Sequence, residues 1–460
     1  MHRHYLIPAV CCFALAASSA LANKAPESFE LAAKRQPGDA VQVTVALEVG
    51  GDLLVPETPE GKSKLPMSVV ASLAYSEQLL SWSADPAEPA RALRQYTQAR
   101  ATIKTDEQGA EPLLPADRRT VVAELAGSDI AIAGLDQPLS REQYDLLDVV
   151  GNSLAIDRIL PNRAMKKDES WDVDAAAIGP LLGMDHVAVC EVRSTVVGME
   201  KRQVQLRLAG VVHGTVEGAV TEMNLRGAYL FHLDEERITK FNLTIEEKRK
   251  AGEVNSGLDV VAKLTLVAAP LDTRKALAIH KPMLEKARDM KIETLRQIAV
   301  DAPARGYRFA HDTSWYVTAE KREQLSLRLL EQGDLLAHCN VTTLPPRLAG
   351  NPMTLADFEK DVVKSLGDKI DKVETATEWT SVAGRHCLGV FANGTVEDVP
   401  VQWRYYHVAD DAGRRATISV TVEQSLLVRF ADADRPIVDS MELIDMPAVE
   451  TAAEESDVKK

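Results

Sequence analysis

Between Asp39 and Ala269 the chain alternates apolar and polar residues again and again. In "VQVTVALEV" (41–49), Val41, Val43, Val45 and Leu47 share one parity. In "VQLRLAG" (204–210), Val204, Leu206 and Leu208 alternate with Gln205 and Arg207. "ITKFNLTIE" (238–246) sets Phe241, Leu243 and Ile245 against Lys240, Asn242 and Thr244. Successive side chains of a strand point to opposite faces, so each run predicts a strand with one covered face. The runs between 186 and 266 are separated by short turn-like pieces, "VGMEK", "VVHGTVEG", "HLDEER" and "KAGEVNSG". That spacing predicts an antiparallel meander. "SREQYDLLDVVG" (140–151) predicts a helix, with Ser140 as N-cap and Gly151 as stop signal.

The grammar changes at residues 274–299, "RKALAIHKPMLEKARDMKIETLRQIA". Leu284, Ala287, Leu295 and Ile298 fall within one arc of a helical wheel, which predicts an amphipathic helical connector. From 300 to 446 strand-like runs are predicted at 324–330, 335–343, 373–381, 385–392, 399–408 and 415–424. A helix capped by Thr354 and stopped by Gly367 interrupts them. Asn393-Gly394 predicts a hairpin turn, and "DDAGR" (410–414) another. The apolar piece "RPIVDSMELI" closes the unit, and the polar tail 447–460 predicts disorder. The expected organisation is a segment 1–22, a β-rich domain 23–273, a connector 274–299, an α/β domain 300–446 and the tail. The fold class is α+β.

In the C-terminal unit the "GYRF…D…SW" opening precedes a hairpin, a helix and a four-strand meander with a tryptophan strand, "VPVQWRYY". This order, with Tyr307, Phe309, Trp315 and Trp403, resembles the PsbP-like and DcrB-like exported domains. The resemblance implies an α/β/α sandwich around an antiparallel sheet, and a non-enzymatic binding or assembly role in a cell envelope or thylakoid lumen. It carries over no ligand-binding residue. More weakly, "LPNRAMKKDESWDV" (160–173) resembles a stretch found in uncharacterised bacterial exported β domains.

The first 22 residues have a basic start (His2, Arg3, His4), an apolar run from Tyr5 to Ala17 and the small-x-small close Ala20-Leu21-Ala22. This predicts signal-peptide cleavage after Ala22 and a soluble protein of the periplasm or medium beginning at Asn23. No later stretch reaches the roughly 18 apolar residues of a spanning helix. Acidic residues outnumber basic ones 68 to 53 with no Lys/Arg stripe, which disfavours nucleic acid as a partner.

Cleavage would leave Cys190, Cys339 and Cys387. His338-Cys339 and His386-Cys387 repeat one dipeptide, but neighbours on a strand face opposite ways and cannot ligate one ion together. Cys339 and Cys387 therefore stand as two buried thiols or as one disulfide, which the chain-entropy account values at about 4 kcal/mol. Cys190 is expected in the core.

Nucleophile, zinc-protease, dinucleotide and phosphate-loop motifs are absent. His311-Asp312 could act as base and orienter only with a nucleophile that the sequence does not name. Asp172 and Asp174, like Asp432 and Asp434, lack the glycine and glutamate of a calcium loop. No catalytic, cofactor-binding or metal-ligating residue is assigned, and no cofactor is expected. The expectation is an exported, non-catalytic binding or assembly protein of the cell envelope, whose partner, another envelope protein or the cell-surface matrix, the sequence does not identify. The alternatives are a carrier of a lipid or other apolar ligand in the N-terminal β domain, and an unrecognised hydrolase. A carrier requires a greasy pocket; an enzyme requires titratable groups from distant segments meeting in one cleft.

Overall fold

The structure is a computed structural model that describes residues 28–56, 63–271, 281–348 and 352–446. The expected signal peptide (1–22) and polar tail (447–460) lie outside the described residues. In chain order the N-terminal strands are β1 (Phe29–Leu31), β2 (Ala40–Leu54), β3 (Lys64–Ser81), β4 (Ala90–Thr105), β5 (Gln108–Ala110), β6 (Thr120–Ala126), β7 (Asp129–Gly134) and β8 (Leu139–Ser140). Helix α1 (Arg141–Leu147), β9 (Arg163–Met165), β10 (Ser170–Asp172) and α2 (Ala175–Leu182) follow. The meander is β11 (His186–Glu200), β12 (Gln203–Val216), β13 (Ala219–His232), β14 (Arg237–Arg249) and β15 (Gly257–Pro270).

These strands build one 12-stranded sheet in the order β10-β11-β12-β13-β14-β15-β2-β3-β4-β6-β7, with β5 hung on β4. The predicted parities hold: Val41, Val43, Val45, Leu206, Leu208, Phe241, Leu243 and Ile245 are all buried on one face. A sheet this wide curls rather than staying open. Strands from β11 round to β6 accordingly share a single core with Tyr144, Leu146 and Leu147 of α1, Leu154–Leu160, and Ile178 and Leu181 of α2. Helix α1 starts as expected: Gln143 N donates to the Ser140 hydroxyl while the Gln143 side chain accepts from Ser140 N. It ends at Leu147, short of Gly151. Several meander strands also run further than expected; β12 continues through "VVHGTV", and its turn is only Glu217-Gly218.

The predicted connector departs from expectation. Residues 272–280 lie outside the described residues; α3 (Lys281–Asp289) and α4 (Ile292–Leu295) are helical, but β16 (Gln297–Ala302) is a strand. Ala287 and Leu295 cover the back of the sheet against Leu93, Val122, Ala131 and Ala133. Both faces of β6 and β7 are thereby buried. Arg91 Nη1 caps the end of α3 by donating to the carbonyls of Arg288 (2.9 Å) and Met290 (2.9 Å). Ile298 leaves that arc and enters the main core, because β16 pairs with β17 (Tyr307–Asp312) and, in parallel, with β8. Strand pairing overrode the helical period there.

The remaining elements are β18 (Trp315–Glu320), β19 (Gln324–Glu331), β20 (Asp334–Leu344), α5 (Leu355–Leu366), β21 (Ile370–Thr380), β22 (His386–Val396), β23 (Val399–Ala409), β24 (Arg415–Glu423), α6 (Leu427–Phe430), α7 (Arg435–Asp439) and β25 (Glu442–Leu443). A seven-stranded antiparallel sheet runs β18-β19-β20-β24-β23-β22-β21. On one face Phe358, Val362 and Leu366 of α5 pack on Leu388, Val390 and Trp403. On the other, Tyr307 and Phe309 of β17 and Phe430, Ile437 and Val438 pack on Cys339, Tyr406 and Val420. The C-terminal unit is thus an α+β layer structure with a sheet covered on both sides.

Candidate functional site at the junction of the two units

The two units meet around α1. Arg141, one residue past the N-cap, donates through Nη2 to the carbonyls of Thr313 (2.7 Å) and Trp315 (2.8 Å). Its guanidinium lies 4.6 Å from the Tyr316 ring centre and 5.8 Å from that of Tyr144. Beside this bolt the β8–β16 pairing crosses between the units, and Arg296 bridges Asp129 (3.3 Å) and Asp312 (3.0 Å). At the opposite side the contact is slight. The β12–β13 turn touches the β19–β20 turn so closely that a Cβ on Gly218 would stand 3.0 Å from Gly333 O. Arg328 Nη1 reaches a Glu253 carboxylate oxygen at 2.9 Å.

Between the bolt and the turn contact lies a cleft of about 920 Å³ whose lining includes nine carboxylates and four arginines. Most of these carboxylates are paired: Asp312 with Arg296, Glu331 with Arg429 and Asp145 with Arg141 (3.6 Å). Asp185 accepts from Gly218 N (2.9 Å) and so ties down the β12–β13 turn. Desolvation raises Asp145 to about 6, Asp148 to about 7 and Asp185 to about 6; Asp145 and Glu217 add repulsion at Asp148. Asp145 and Asp148 still touch the water of the cleft, which softens these shifts. The arrangement can hold cationic groups.

The residues singled out in sequence do not gather at this cleft, Asp312 excepted. Cys339 and Cys387 are free thiols. Strands β24 and β23 stand between β20 and β22, so at about 4.8 Å per strand the two cysteines are about 14 Å apart or more, beyond the roughly 7 Å of a disulfide. Burial raises the Cys339 thiol and pushes Cys387 up to about 11, the reverse of activation. As the parity predicts, Cys339 is buried and His338 points out. Cys387 and Leu388 are both buried because their sheet has a core on each face. His386 Nε2 lies 2.8 Å from a Glu378 oxygen. Cys190 is half-buried beside a bulge between Val187 and Val189, with its thiol 3.3 Å from Val173 O.

His311 and Asp312 do not form a catalytic pair: His311 Nδ1 meets the backbone carbonyl of Asp312, while the Asp312 carboxylate holds Arg296 and Ser314. Burial lowers His311 to about 4. Asp174 caps α2 by accepting from Ala176 N (2.8 Å), and Asp172 pairs with Arg193 (3.0 Å). Asp434 is fully buried, accepting from Tyr406 OH (2.5 Å) and Arg404 (3.2 Å). Among the described residues no group of three His, Cys, Asp or Glu side chains could hold a metal ion.

A second polar cluster, unforeseen from the sequence, fills the N-terminal core. Glu77, 1% exposed, accepts from Arg94 Nε (3.0 Å) and Arg35 Nη2 (3.2 Å), while Arg94 Nη2 donates to Asn152 (2.6 Å). Asp157 accepts from Ile238 N (2.8 Å) and faces Arg35 (3.5 Å). These groups neutralise one another and leave the inner face of the sheet occupied by the chain itself. An apolar ligand there would have to displace Leu154, Ile156, Ile178 or Leu181, all fully buried.

No protein-family model matches the chain, and no curated protein matches it. Solved structures are similar only weakly and in part. PsbP of the cyanobacterium Synechocystis sp. PCC 6803 is similar at 12% identity, over 34% of this chain and 95% of that one, with a TM-score of 0.26. A Tle4–Tli4 complex is similar at 8% identity over 48% of this chain and 74% of that one (TM-score 0.19). The translocator domain of the autotransporter NalP from Neisseria meningitidis is similar at 7% identity over 84% and 88% (TM-score 0.13). Among the described residues no helix is long and apolar enough to cross a membrane.

Proposed function

We propose that the chain is an exported, non-catalytic binding or assembly protein, and that its partner docks at the acidic cleft between the two units with lysine or arginine side chains. The observation that carries this reading is the division of ionisable groups. Glu77 is paired with Arg94 in the N-terminal core and Asp434 with Arg404 in the C-terminal one, whereas Asp148 and Asp185 line an open cleft without an arginine partner of their own. Groups locked in buried pairs serve stability or specificity of the fold rather than turnover. Opposite charge across a docking surface guides encounter and register. The occupied inner face of the large sheet weighs against the carrier reading.

The test is site-specific photocrosslinking in the source cells, with a benzophenone amino acid at Gln332 on the cleft rim or at Val70 on the far outer face. Gln332 should give one discrete adduct that Asp145→Asn plus Asp148→Asn removes, and Val70 none. Equal labelling from both positions, or an adduct indifferent to the carboxyls, would refute docking at the cleft.

A further inference from the structure

We infer that Arg237, with Arg35 beside it, holds a small oxyanion, a carboxylate or a phosphate-type group, at the margin of the N-terminal unit. The site lies away from the acidic cleft and does not rest on the docking proposed there. Arg249, the last residue of β14, lines the cleft, whereas Arg237 is the first residue of that strand, about 40 Å away along it. The charge balance points to an anion. In the buried cluster described above, Arg35 and Arg94 are matched by Glu77 and Asp157, two against two. Arg237, 5% exposed, is a third guanidinium that faces Arg35 as well as both carboxylates. Those carboxylates are already taken. Glu77 accepts from Arg94, Arg35 and Ser153, and Asp157 accepts from Ile238 N (2.8 Å) and faces Arg35 (3.5 Å). Glu235, in the β13–β14 turn, is the other negative charge nearby, and it stands 3.9 Å from His232. Among the described residues neither Nε nor Nη2 of Arg237 has a hydrogen-bond partner.

Which atoms lack partners matters as much as the count. The Nε–H of a guanidinium and the adjacent Nη2–H point the same way, and this edge takes two oxygens of one carboxylate or phosphate in parallel hydrogen bonds. Arg202, in the neighbouring β11–β12 turn, shows the mode, since its Nε and Nη2 both donate to Asp234. In Arg237 the whole edge is buried and unpartnered, and Arg35 Nε is a further buried donor without a partner. An unpaired charge taken out of water is costly to a fold. One negative charge on this edge would bring the balance to three against three and satisfy both N–H groups. Solvent is close by. The segment that carries Arg35 is strapped to the turn by Lys34 N, which donates to Glu236 O (3.1 Å), and by the exposed Lys34–Glu236 ion pair.

The test is equilibrium dialysis of the full chain against labelled inorganic phosphate and, separately, labelled acetate, with ionic strength held by chloride. Saturable uptake of a single anion per chain is expected for at least one of the two, and which one binds names the class. Arg237→Lys keeps the charge but loses the edge, whereas Arg237→Met loses both. The dissociation constant should rise by about tenfold or more in the first and further in the second. Lys34→Ala removes an exposed cation at the same margin and should bind like the unaltered chain. The site is overturned by no saturable uptake of either anion, by an unchanged affinity in Arg237→Lys, or by uptake that appears only in Glu235→Gln. The last result would make Glu235 the partner of Arg237. Should Arg237→Met not fold, Arg237→Lys alone decides. The crosslinking experiment probes the opposite end of the unit, so either result can fail while the other stands.

Discussion

Glu77 shows how much one residue can hold. It sits at the centre of the N-terminal core with two arginines and Ser153 on its oxygens. Burial by itself would raise its carboxyl, but Arg94 and Arg35 outweigh that and hold it below its ordinary value. Removing one member of a buried charged set leaves the others uncompensated, at a cost of about 3–5 kcal/mol. Glu77→Ala should therefore lower the urea midpoint of the N-terminal unit by that measure, and a loss under about 1 kcal/mol would contradict the pairing. Because the folded-state value is depressed, this contribution is present above the ordinary carboxylate range and is lost as pH falls through the lowered value. Stability should accordingly fall on the acid side of about pH 4. Glu77 was half legible in the sequence: it shares the inward parity of Tyr75 and Leu79 in "YSEQL". Its partners were not legible, since Arg35 and Ser153 reach it only through the curl of the sheet.

At the scale of elements, parity and caps carried most of the fold. Ser140 and Thr354 start their helices as their residue types require, and "DDAGR" turns with Asp410 accepting from Ala412 N and Arg414 N. Asn393-Gly394 shows where a local signal misleads. It lies within β22, and the turn is Glu397-Asp398, with φ of 49° and 66°. Gly394 is there for packing: a Cβ would stand 2.0 Å from Lys369 O and 2.7 Å from the Trp403 ring. Gly394→Ala should thus destabilise the C-terminal unit by about 1–3 kcal/mol or more. By contrast, Glu397→Asn with Asp398→Gly should stabilise it by up to about 1 kcal/mol, as positive φ favours those residues. Thermal unfolding of both variants decides the point; a tolerant Gly394 and a damaged 397–398 pair would reverse the assignment. Helix α4 and β16 mark another limit, because one apolar arc served two cores and only strand pairing separated them.

The described residues form two large sheets, one of 12 strands and one of seven, beside a two-stranded sheet and a four-stranded one (β25-β17-β16-β8) that crosses between the units, where a bolt at Arg141 and a slight contact between turns add to the joint. None of this junction was legible in sequence, since it brings together Asp129, Arg141, Asp185, Glu217 and Thr313 from five separate stretches whose local patterns show nothing of their meeting. The cysteines, in contrast, resolved simply: two strands stand between Cys339 and Cys387. The central claim at this scale is that both cores are filled by the chain itself, so that binding happens at the surface. A native mass spectrum of the protein, purified from its source cells and never reduced, tests it most directly. The account predicts a mass with no apolar adduct and with Cys190, Cys339 and Cys387 reduced. A retained lipid or other apolar adduct, or a mass short by the two hydrogens of a disulfide, would contradict it.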